Sequence, residues 1–303
     1  PAPSPTTAPA QIPTTAPAPS PTTAPAQPAT TAPSAPGPSA SPVTLTVTNP
    51  GDAAQAVDLT PVYTVGSTSR FETSETLTGQ IGFGSPVDAT VEWTDRQHGE
   101  ISAANPDGSY TQVITVESAT NQVVSGPPES AELMSTELFD SITGVPIEMS
   151  YNHQNVAVSM GVSPGATATA EQQQAIAGLL VPNQATPVAY PADPVGAGAT
   201  WTATHPFPWQ GTTGTISVDY RLDTVSGDQW SVSYSFTVDM SQITFANGVS
   251  ATGTMSETGT VTGSISSPLS GVTESTTTNA ITISDGYSDN STLTRRTVAT
   301  QQS

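Results

Sequence analysis

Three histidines, His98, His153 and His205, are the only imidazoles in the chain, and cysteine is absent. Zinc binding or imidazole-based proton transfer needs such groups to converge, typically as a second histidine two or four positions away on one strand or helix. None of the three has one. His98, in the charged stretch DRQHGE at 95–100, reads as a solvated residue beside a turn. Serine is plentiful, and the Ser, His and Asp of this chain are what any serine-rich sequence supplies by chance. Glu129, Glu132, Glu137 and Asp140 gather within one short segment and read as the wet face of a helix, because nothing around them signals the raised pKa of a catalytic acid. In SDGYSDNS, residues 284–291, Asp285, Asp289 and Asn290 offer oxygen ligands without the spacing or closing Glu of a calcium loop, so a hairpin turn is expected there. Asn290-Ser291-Thr292, overlapping its end, is also a glycosylation sequon. Aromatic residues supply the last option. Trp201, Trp209 and Trp230 are the candidate ligand-facing aromatics, and Trp201, His205, Phe207 and Trp209 in WTATHPFPW form a carbohydrate-stacking platform if exposed; otherwise Trp201 is core and HPFPW a rigid loop packed on the sheet edge. No catalytic residue, metal site or cofactor is expected, and the chain is read as non-enzymatic.

These residues must be positioned by a chain of unusual composition. It carries 25 acidic residues against five basic ones, all arginine, for a net charge of −20. Such a surface repels phosphate backbones and anionic headgroups, which argues against nucleic-acid binding and electrostatic membrane attachment. Without cysteine there is no disulfide scaffold and no thiol chemistry. No run approaches the roughly 18 consecutive apolar residues of a membrane span. Residues 1–42 are almost entirely Pro, Ala, Thr and Ser, and APSPTTAPAQ occurs at 2–11 and again at 18–27. Proline at this density favours extended polyproline II and forbids a core, so the segment reads as a disordered or O-glycosylated stalk. A stalk of this kind, and a chain that opens at Pro1 without a leader, point to an exported product, placed outside the cell or on its surface.

From Val43 onward the pattern has period two. In TISVDYRL, 215–222, Ile216, Val218, Tyr220 and Leu222 share one face; in QWSVSYSFTVDM, 229–240, Trp230, Val232, Tyr234, Phe236, Val238 and Met240 do the same, with a turn at 226–228 between them. VDATVEWT at 87–94 and SYTQVITVE at 109–117, joined through NPDG, form a matching pair in the first half. Each pair follows a similar phrase: Val65-Gly66 then Phe71, and Val195-Gly196 then Trp201, at the same spacing. Phe71 and Trp201 are therefore expected at equivalent inward positions, and Gly66 and Gly196 in equivalent turns. Two helices are expected. TAEQQQAIAGLLVP, 169–182, has a capping box in Thr169 and Gln172 and an apolar stripe of Ile176, Leu179 and Leu180; ESAELMSTELFDSI, 129–142, has Met134, Leu138 and Ile142 on one stripe. ATGTMSETGTVTGSI, NAITIS and NSTLTRRTV read as closing strands. The expected fold is all-β: two related antiparallel meanders, 43–168 and 169–303 with its connecting helix, packed as a sandwich or an open barrel.

The Pro/Ala/Thr stalk, the PVGAGATW motif at 194–201 and the paired meanders together resemble exported actinobacterial envelope proteins, a group without an assigned activity. A looser similarity runs to mycobacterial-type lipoproteins with a half-barrel lipid-carrier fold. The first resemblance implies an envelope location, the second an acyl-chain cavity; neither lends catalytic residues, and this sequence has no lipobox cysteine. The first functional expectation is an envelope structural or interaction module held away from its anchor, with an envelope component as partner. The alternative is a carrier of a hydrophobic ligand, in which the apolar sheet faces are only partly covered by the helices.

Overall fold

The computed structural model describes residues 43–83, 85–176, 188–206, 215–242 and 250–302. All lie within the compact unit Pro36–Ser303; the stalk is outside the described residues. The strands are β1 (Thr44–Asn49), β2 (Thr68–Phe83), β3 (Val87–Ala104), β4 (Tyr110–Ser125), β5 (Ile147–Tyr151), β6 (Ala157–Val162), β7 (Thr200–Pro206), β8 (Thr215–Ser226), β9 (Gln229–Asp239), β10 (Ala251–Ser264), β11 (Gly271–Ile283) and β12 (Tyr287–Gln302). They form one antiparallel sheet in the order β1-β7-β8-β9-β10-β11-β12-β2-β3-β4-β5-β6. The fold is all-β, and of the two packings expected it takes the open form. β9 and β6 stand eight places apart in that order, which in a flat sheet would separate them by about 38 Å. Tyr234 on β9 and Met160 on β6 nevertheless border the same cavity, so the sheet curls around its inner face.

The terminal strands are exchanged between the meanders. β1 precedes the β2–β6 run but pairs only with β7, while β12, the last strand, pairs with β2 along its whole length from Tyr287–Phe83 to Gln302–Thr68. A strap, residues 188–199, ties the edges together. Tyr190 donates its backbone N–H to Gln154 at 3.0 Å, Val195 and Val57 exchange backbone bonds, and Gly196 donates to Pro50 at 2.9 Å.

The hairpin of β8 and β9 forms as the alternation requires, with Ile216, Val218, Tyr220, Leu222, Trp230, Val232 and Tyr234 all buried. β3 and β4 run further than their apolar alternation suggests. His98 therefore lies mid-strand, paired with Arg70 and Thr115, and not beside a turn. The segment 129–142 is not one helix. Pro128–Met134 is a 3-10 turn, Ser135 is extended at φ −62° and ψ 136°, and α1 covers only Glu137–Ile142. The side-chain amide of Asn121 explains the break, donating to the carbonyls of Ala131 and Met134, each at 2.9 Å, and pinning that turn to β4. α2 begins at Ala170 with the expected reciprocal cap: Thr169 N–H to Gln172 Oε1 at 2.9 Å and Gln172 N–H to Thr169 Oγ1 at 3.2 Å. Leu179 and Leu180 of its stripe are outside the described residues.

The repeated phrase marks a genuine correspondence, displaced by two residues. Gly66 donates to Ile101, which donates back to Ser67; Gly198 donates to Leu222, which donates back to Ala199. Gly66 and Gly198 both lie at positive φ, +84° and +81°. The equivalent of Gly66 is thus Gly198 and not Gly196, and the equivalent of Trp201 is Ser69 and not Phe71. Gly196 is glycine for another reason: a Cβ there would sit 2.0 Å from the Asp52 carbonyl oxygen where the strap crosses the chain.

Candidate functional site

The inner face of the curled sheet has two regions. Beneath β7, β8 and β9 the interior is filled: Leu59, Val188, Ala189, Tyr190 and Val195 pack onto Trp201, Tyr220, Val232 and Trp230. Trp201, 1 % exposed, stacks on Tyr220 at 5.5 Å and donates its indole N–H to Ala189 O at 2.7 Å. Trp230 meets Tyr190 edge-on. Of the aromatics proposed to face a ligand, Trp201 and Trp230 are therefore covered by the strap, whose apolar side chains fill the space in front of them. Phe207 and Trp209 are outside the described residues, as is the side chain of His205.

On the other side of the barrel the interior is hollow. A cavity of about 970 Å³ extends between β2–β6, the 128–142 segment and the inner face of β9–β12. Register explains its lining. One row of directly paired residues crosses ten strands: Val47, Trp201, Tyr220, Tyr234, Gly259, Ser275, Arg295, Glu75, Trp93 and Asn121. It passes from stacked aromatics through a polar centre to Trp93. The next row, Val232, Val261, Thr273, Thr297, Thr73 and Asp95, repeats the change from apolar to polar. The cavity thus has a polar floor on β10, β11, β12 and β2. Its opposite wall is apolar, built from Val116, Ile142, Ile147, Met149 and Met160, with Trp93 and Phe139 in edge contact at 4.9 Å. Leu133 and Met134 of the 3-10 turn cover this wall.

The floor is charged. Arg295 pairs with Glu75 and is the one arginine that faces inward; Arg70, Arg96, Arg221 and Arg296 pair with Glu117, Glu72, Asp223 and Glu274. Desolvation works against the Arg295 charge, and Glu75 and Glu257 hold it in place. Glu257 accepts from the Tyr234 hydroxyl at 2.7 Å and from Thr277 Oγ1 at 3.0 Å. Asp289 accepts from Ser291 Oγ at 2.5 Å and Asn279 Nδ2 at 3.1 Å, and burial raises its pKa. Asp95, 4 % exposed, accepts from Gln97 Nε2 at 2.8 Å through Oδ2. Burial raises its pKa first and the Glu75 charge adds to this, while bonds from Gln97 and Thr73 and the charge of Arg295 act the other way. Its Oδ1 has no hydrogen-bond partner, and neither has Nε2 of the equally buried Gln112.

The remaining candidates do not converge. His98 is on β3 and His153 in the β5–β6 turn, and among the described residues no group of three His, Asp or Glu is arranged to hold a metal. Asp285 lies in the β11–β12 turn, bonded to Tyr287 N–H, whereas Asp289 and Asn290 point to opposite faces of β12. Of the acidic residues at 129–140, Glu132 rims the cavity and Asp140 accepts from Thr136 Oγ1 at 2.6 Å. The polar floor itself escaped the sequence reading, though it left a signal: Glu75, Asp95, Glu257 and Arg295 occupy the same alternation as Leu77, Trp93, Met255 and Leu293.

No protein family matches the sequence, and no curated protein does. Among solved structures, a lipovitellin chain described under "Lipid-protein interactions in lipovitellin" is 10 % identical, with a TM-score of 0.40 over 80 % of this chain. This protein spans 25 % of that chain. An outer membrane channel from Pseudomonas putida F1 is 8 % identical, with a TM-score of 0.25, covering 80 % of this chain and 98 % of its own.

Proposed function

We propose that the protein is a non-enzymatic binder or carrier of a ligand with a long apolar part, taken up in the hollow side of the barrel and displayed at the cell surface by its stalk. The observation that carries this reading is the cavity of about 970 Å³. It lies at the upper end of the roughly 300–1,000 Å³ range of small-molecule pockets. A display module needs no such space, since its sheet could be filled throughout as it is beneath β7–β9. The apolar wall gives a hydrocarbon chain a surface on which burial contributes about 25 cal/mol per Å². The outward positions of β10–β12, by contrast, are Thr254, Thr258, Thr276, Thr278 and Thr294 and their like, a hydroxylated surface facing water.

The test is binding of the neutral fluorophore N-phenyl-1-naphthylamine to the full chain, with Thr297→Trp filling the cavity from its floor. Saturable fluorescence enhancement that Thr297→Trp abolishes without lowering the melting temperature is expected. Enhancement that is absent, or that the variant leaves untouched, refutes the reading.

A further inference from the structure

We infer that the cavity selects amphiphiles with a cationic, hydrogen-bond-donating head, such as a long-chain primary ammonium, over those with a carboxylate head. This rests on the ligand-binding reading above and specifies the ligand class. Five charged side chains of the sheet border the cavity: Glu75, Asp95, Glu257, Asp289 and Arg295. The one guanidinium pairs with Glu75 and also acts on Glu257 and Asp95, so a single positive charge serves four carboxyl groups.

One observation indicates that this floor is unfinished without a ligand. Asp95 Oδ1 is a buried acceptor without a partner, on a side chain that faces the cavity at 4 % exposure. Leaving such an atom unmatched is costly, so native structures seldom do so without a reason. An ammonium supplies three donors, which suits an open carboxylate oxygen. A carboxylate head supplies only acceptors and would face Asp95, Glu257 and Asp289, where like charges disfavour one another. Its hydrocarbon chain, like that of the amine, would lie along Val116, Ile147 and Met149, so the wall does not discriminate and the floor does.

The experiment displaces N-phenyl-1-naphthylamine from the full chain with dodecylamine, dodecanoate and dodecanol at pH 7 and constant ionic strength, below their micelle concentrations. Dodecylamine is expected to bind at least about tenfold more tightly than dodecanoate, a difference of about 1.4 kcal/mol. Asp95→Asn with Glu257→Gln should remove that preference. The charge-matched outward pair Glu92→Gln with Glu129→Gln should retain it, which separates the cavity from the attraction of any cation to a chain of net charge −20. Equal or tighter binding of dodecanoate or dodecanol, or equal loss of preference in both double variants, overturns head-group selection while leaving the carrier reading intact. Failure of the fluorophore itself to bind overturns the carrier reading.

Discussion

The two sides of the barrel are built on the same backbone plan and differ in what their first three strands place inside. Where β7, β8 and β9 set Trp201, Tyr220 and Tyr234 side by side, the equivalent positions of β2, β3 and β4 hold Ser69, Gly99 and Ile114. Two stacked aromatic rings on one side correspond to a hydroxymethyl group and a hydrogen atom on the other. The Gln112 amide and the Phe71 ring take up the room over Gly99, 2.6 and 2.9 Å from where its Cβ would stand, and both border the cavity beyond.

The sharpest test of that contrast is to remove one ring from each side. Trp201→Ala, in the filled side, should lower stability by about 3–5 kcal/mol in chemical denaturation, through lost burial and the void left behind. Phe71→Ala, whose side chain is partly exposed and borders existing empty space, should cost less than about 1.5 kcal/mol because it creates no new enclosed void. Equal losses would mean that the cavity closes in solution.

The glycines separate in the same way, with smaller effects. Gly196→Ala drives a methyl group into the Asp52 backbone and should cost about 2–3 kcal/mol. Gly66→Ala meets no atom within 4 Å and pays only for its left-handed backbone, about 1 kcal/mol. Reversal of this order by thermal denaturation would contradict the strap crossing.

The smallest effect is electrostatic. Asp95 and Asp289 have pKa values raised above the ordinary 3.8 by burial, so the folded state binds protons more tightly than the unfolded one. Their contribution to stability is therefore full below pH 3.8 and is lost as pH rises through the folded values. Asp107 and Asp228, held low by bonds from Ser109 and from Ser264 and Ser266, act oppositely, losing their contribution as pH falls below 3.8. Asp95→Asn should raise the melting temperature slightly at pH 7 and flatten its dependence between pH 7 and pH 4. An unchanged slope would show that Asp95 is not desolvated.

How far the sequence reveals this arrangement depends on which face of each strand is dry. The β8–β9 hairpin is plain in its letters because Trp230, Val232 and Tyr234 alternate strictly with serine, and one face of that hairpin is fully buried. β3 beyond Trp93 and β11 before Asn279 are obscure, because their inward residues, Asp95, Gln97, Thr273 and Ser275, line the polar part of the cavity and break the apolar alternation that marks a half-buried strand. The Val-Gly phrase misleads by two positions because turn register follows the glycine at positive φ, and letters alone do not distinguish Gly198 from Gly196. The split of 129–142 was invisible for a different reason: it depends on Asn121, a residue on another strand.

The exchange of terminal strands has a consequence for how the molecule comes into being. β2 finds one of its two neighbours in β12, so the contact between Thr68 and Gln302 spans nearly the entire folded chain. During synthesis β2 must wait with a bare edge until β12 emerges, and an unpaired edge of that length is a site for pairing with other chains. Contacts so distant in sequence also make folding slow. Completion of the barrel therefore waits on the synthesis of β12, and loss of that strand leaves β2 and β11 facing each other with nothing between them.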